Sequence, residues 1–139
     1  MSNSSSVRPL NKKDYLFTMT NLNTYTGYPD LQPNAFGHTV DPADPLKCIF
    51  WTRATGTFSQ PWNPFGERLE SVPFAKLTPN NKQAQLPTEC YSITFTPEGK
   101  VKLLTAGYVV NKFEGNTNGL GAVLALFVNA TCRRWPTLR

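Results

Sequence analysis

Apolar positions recur along this chain with two different periods, and the switches between them mark the elements. From Asp14 to Tyr25, Tyr15, Leu16, Met19 and Leu22 fall at roughly helical spacing, and Gly27, Tyr28 and Pro29 then stop the run, which predicts one short helix. Phe36 to Val40 suits a strand, Asp41-Pro42-Ala43-Asp44-Pro45 reverses the chain, and Leu46 to Phe58 is rich in β-branched and aromatic residues, which predicts a hairpin. Ser59 to Asn81 carries prolines with Asn and Gly and reads as a long loop, because proline removes a ladder donor and fixes φ. Glu89 to Phe95 and Lys100 to Val110 flank Thr96-Pro97-Glu98-Gly99, where proline suits the first turn position and glycine the left-handed one. That turn sets Phe95 opposite Val101, Ile93 opposite Leu103 and Tyr91 opposite Thr105, with Cys90, Ser92, Thr94 and Lys102 on the other face. Asn116-Thr117-Asn118 then offers N-cap chemistry to an apolar run, Gly119 to Ala130, which predicts a buried helix with Leu120, Val123, Leu124, Phe127 and Val128 as its packed stripe.

Composition narrows the class. The 139 residues fit one α+β domain over residues 10–139, preceded by a polar, serine-rich start over residues 1–9 that reads as disordered. Fourteen Lys and Arg against nine Asp and Glu leave a net charge of +5, spread along the chain apart from Lys12/Lys13 and the closing Arg133, Arg134 and Arg139. Spread charge without a binding module argues against nucleic acid as a partner. Cys48, Cys90 and Cys132 are dispersed and odd in number, so the expectation is reduced thiols, no disulfide framework and no metal. Gly119 to Val128 is too short to span a bilayer, and no signal peptide is visible, so the chain reads as soluble and intracellular.

Four pieces, in order, resemble the SnoaL-like polyketide cyclase family of the nuclear transport factor 2-like superfamily: Tyr28-Pro29-Asp30-Leu31, Trp51-Thr52-Arg53-Ala54-Thr55-Gly56-Thr57, Glu89 to Lys100, and Gly107-Tyr108. The resemblance implies a cone-shaped α+β fold whose curved antiparallel sheet encloses an apolar pocket. By family analogy it also admits a plastid location. The family usually begins with two further helices, and this chain starts after them. Its cyclases use a pocket aspartate as general acid/base, whereas Val101 to Val110 holds no Asp or Glu.

The candidate ligand-binding residues are Trp51, Arg53, His38 and Tyr108. Trp51, Arg53 and Thr55 alternate along one predicted strand and so share a face, offering an aromatic wall and a cation to an anionic or planar ligand. His38 is the only histidine, near Asp41 and Asp44, although Asp before Pro normally caps its own turn. Tyr91 and Tyr108 fall on opposite faces of the predicted hairpin, so at most one lines a given pocket. Gly115-xxx-Gly119-x-Gly121 mimics a phosphate loop, but that loop requires a following βαβ sheet with an acidic residue about 20 positions on, and only residues 122–139 follow. Two functions stay open: a domain binding a small apolar or aromatic molecule, with cofactor-free isomerase, dehydratase or cyclase-type acid/base chemistry, or a non-catalytic accessory or assembly subunit. A four-stranded sheet with one helix cannot cover both faces, so homo-oligomerisation or a protein partner is also expected.

Overall fold

The computed structural model describes residues 10–64 and 76–131. The serine-rich start, the middle of the proline-rich loop, Cys132 and the arginines of the C-terminal tail lie outside them.

The first helix starts earlier than its apolar pattern and stops sooner. Asn11 accepts from the Asp14 backbone N–H at 2.9 Å, which caps α1 (Lys12–Leu22). Asn23 then turns left-handed (φ 39°), splitting the predicted single helix into α1 and a short α2 (Thr24–Gly27).

Strands β1 (Ala35–Asp41), β2 (Asp44–Thr52), β5 (Glu89–Phe95) and β6 (Val101–Val109) form an antiparallel sheet in the order β1-β2-β5-β6. The second strand does not run on to Phe58. It ends at Thr52, and β3 (Thr55–Thr57) pairs instead with β4 (Gln83–Gln85) in a separate two-stranded sheet. The turn at Asp41 is built as its chemistry requires, since Asp41 Oδ1 accepts from Ala43 N–H and Asp44 Oδ1 from Leu46 N–H. Gly99 takes the left-handed position of the second turn at φ 79°.

The register of β5 on β6 departs from the expected one. Phe95 does pair with Val101, but Ile93 pairs with Leu104 and Ser92 with Thr105, because Lys102 is inserted as a bulge. A second extra residue lies between Thr105 and Tyr108, where Gly107 adopts φ 80° at no steric cost. Each bulge reverses which side the following residues face, so the two cancel. Tyr108 therefore shares a face with Cys90, its partner, while Tyr91 lies on the other, as the sequence predicts.

The core sits beside the four-stranded sheet. Tyr28, Phe58, Trp62, Leu77, Ala84 and Leu86 pack with Ala125, Leu126 and Ala130 of α3 (Ala122–Thr131), and each large side chain so buried stabilises the fold by roughly 1.5–3 kcal/mol. Tyr28 stacks on Phe58 with ring centroids 5.4 Å apart and meets Trp62 edge-on at 5.8 Å. Its hydroxyl donates to the Leu126 carbonyl at 2.6 Å, and Trp62 Nε1 donates to the Leu22 carbonyl at 2.7 Å. The packed stripe of α3 is rotated from the predicted one. Ala125, Leu126 and Ala130 are buried, Leu120, Val123 and Phe127 are partly covered, and Leu124 is 65% exposed.

Candidate functional site

The two faces of the four-stranded sheet carry different chemistry. On one face, the rings of His38, Phe50 and Tyr91 stack in a row, with centroids 5.2 Å and 5.5 Å apart. Tyr91 donates to Glu89 Oε2 at 2.8 Å, and Glu89 Oε1 accepts from the Ala122 backbone N–H at 2.6 Å. Burial and the adjoining Glu89 carboxylate push the Tyr91 phenol above its ordinary range. Glu89 is only 1% exposed and both of its oxygens are engaged, so it works as a tie between β5 and the start of α3.

This tie also explains the glycine motif. Gly121 has no Cβ because Glu89 Oε1 occupies that space, and Asn116 is clamped to β4 through Gln83 and Gln85. The N-terminus of α3 thus receives the chain's own carboxylate where a phosphate loop would receive phosphate. The cap comes from Glu89, 33 residues away in sequence, and Asn118 is left-handed at φ 55°.

On the opposite face a cleft of about 420 Å³ opens where β2 ends. Phe36 and Trp51, paired across β1 and β2, form its wall with ring centroids 6.5 Å apart. Trp51 lies flat against the chain because Gly37 has no side chain to hold it off. The Arg53 guanidinium lies 4.5 Å from the centre of the Phe36 ring, a cation–π distance, and Arg53 Nε donates to Thr88 Oγ1 at 2.9 Å. Thr88 in turn donates its hydroxyl to Glu114 Oε2, which also accepts the Thr88 backbone N–H at 3.0 Å. These Thr88 bonds, with the positive Arg53 nearby, hold the Glu114 carboxyl below its ordinary range.

The structure distributes the four candidate residues unequally. Trp51 and Arg53 line the cleft together, and Tyr108 lies on the same face, 69% exposed and two strands away from Trp51, about 10 Å by strand spacing. His38 is on the other face, stacked on Phe50, because a bulge between Phe36 and Thr39 turns it away from the Phe36 side. Thr55 does not join Arg53 either: the strand breaks after Thr52, and the Thr55 hydroxyl accepts from Asn34 Nδ2 at 3.1 Å. Thr88 and Glu114 were missed by sequence reasoning. They are 26 residues apart, and nothing in either segment signals that they meet.

Among the described residues no group of three or more His, Cys, Asp or Glu is placed to hold a metal ion, and no helix is long and apolar enough to cross a membrane.

No family model matches the chain, and no curated protein matches it. Among solved structures, it is similar to a protein from Jannaschia sp. CCS1 assigned as a SnoaL-like polyketide cyclase, with 14% identity and a TM-score of 0.50. The match covers 87% of this chain and 62% of that one, so the chain spans less than two thirds of its neighbour's length. A likeness at this identity speaks for architecture alone. The curved antiparallel sheet with its few helices is a nuclear transport factor 2-like α+β fold.

Proposed function

We propose that this domain binds a small planar, largely apolar molecule in the cleft where β2 ends. One observation carries the reading: two aromatic rings and a guanidinium line a single open, shallow cleft of about 420 Å³. Binding rather than turnover is the activity this geometry supports. Glu114, the carboxylate at the cleft, is held ionised by Thr88 and is therefore a weak base, and Glu89 is committed to α3. Mass spectrometry of small molecules released from the natively purified protein tests the proposal. A planar compound that is retained by the wild-type chain and lost from Trp51→Ala supports it; an identical profile from both proteins refutes it.

The accessory or assembly reading draws on a different observation. Strand β6 is an edge strand, and Val101, Leu103 and Tyr108 on it are 61%, 53% and 69% exposed. Light scattering at micromolar concentration separates the two readings, since a monomer that binds ligand needs no partner to explain its sheet.

A further inference from the structure

We infer that the molecule bound in this cleft carries a carboxylate or similar planar anionic group, which docks against the outer edge of Arg53. The inference rests on the proposed ligand-binding role of the cleft and adds the chemical class of the ligand. Arginine has five donors in a fixed fork, and in this structure the inner edge of that fork is already fixed. Arg53 Nε is bonded to Thr88, Thr88 is anchored by Glu114, and the guanidinium plane rests over Phe36. No salt bridge to Arg53 is formed among the described residues, where the ion pair present is Lys47 with Asp41 at 3.3 Å. Among the described residues the side-chain hydrogen bond of Arg53 is the one from Nε, which leaves the Nη donors to a ligand, in a side chain whose orientation is set before any ligand arrives.

Such preorganisation favours bidentate pairing with a planar anion, and the rings of Phe36 and Trp51 offer an apolar surface beside it. Glu114 acts through Thr88, so both are positioning residues. The negative charge of Glu114 lies close behind Thr88 and partly offsets that of Arg53, so the ligand's anionic group belongs on the Nη edge that faces away from Thr88.

Calorimetric titration with 2-naphthoate, 2-naphthalenemethanol and 2-(aminomethyl)naphthalene tests this, since the three share a ring system and differ in charge. The anion is expected to bind at least tenfold more tightly than the alcohol, and the amine no better than the alcohol. Arg53→Met, which keeps an apolar stem over Phe36, should bring the anion's affinity down to that of the alcohol. Thr88→Val should reduce it several-fold through loss of the Nε anchor, and circular dichroism confirms that each variant is folded. Equal binding of all three compounds, lost in Trp51→Ala, would overturn the anionic class and leave the binding role standing. Binding of none would overturn both.

Discussion

Glu89→Ala is the substitution that most directly tests how α3 is attached. The side chain is 1% exposed and satisfies two donors, the Ala122 N–H at 2.6 Å and the Tyr91 hydroxyl at 2.8 Å. Truncation leaves both without a partner, at about 1–3 kcal/mol each when buried. It also removes a negative charge from a helix N-terminus, worth about 0.3–1 kcal/mol. Water entering the space left behind recovers part of this, so the expected loss is about 2–4 kcal/mol. Glu89→Gln should cost about half as much, because its amide oxygen still accepts from Ala122 and the Tyr91 hydroxyl can rotate to accept from the amide nitrogen. Urea unfolding followed by far-UV circular dichroism measures both, with an unchanged slope showing that the folded state is still compact. A loss below about 0.5 kcal/mol for Glu89→Ala, or equal losses for the two variants, would refute the account: the first by showing that burial of the carboxylate costs as much as its bonds return, the second by showing that the charge alone matters and the two hydrogen bonds contribute nothing.

Three further outcomes follow from the packing. Leu126→Asp should destabilise by at least about 4 kcal/mol through an unpaired buried charge, whereas Leu124→Asp, at a site 65% exposed, should stay within about 0.5 kcal/mol; thermal melts of the two variants distinguish them. Gly121→Ala should destabilise comparably to Glu89→Ala, since the added methyl displaces the Glu89 carboxylate, and in the double variant the two losses should not add. Burial pushes the Tyr28 phenol up to about 12. Because the folded state holds that proton more tightly, its contribution is complete below pH 10 and fades between pH 10 and 12, by about 2–3 kcal/mol. Tyr28→Phe should therefore be less stable at neutral pH but show a shallower alkaline decline in denaturant midpoint.

The sequence by itself determined what depends on neighbours along the chain. The opposite facing of Tyr91 and Tyr108 holds because two bulges cancel, whereas the turns at Asp41 and Gly99, the strands they join and the apolar character of the last helix follow from local turn chemistry and hydrophobic period. Trp51 and Arg53 were legible as a pair for the same reason, two positions apart at the end of one strand. Tertiary structure decided the rest. Bulges at Gly37, Lys102 and Gly107 moved His38 off the Trp51 face and reset the β5–β6 register, and a bulge is selected by how two strands curve together. Which side of α3 is buried depended on where Tyr28 and Trp62 stand, so an apolar run that is nearly continuous around the helix could not reveal it. The links that define the cleft, Arg53 to Thr88 to Glu114, and the tie that attaches α3, Glu89 to Ala122, join residues 26 to 35 positions apart. No period or spacing records such contacts, because a hydrogen bond between distant segments is specified by the folded path of the backbone and not by the residues next to it.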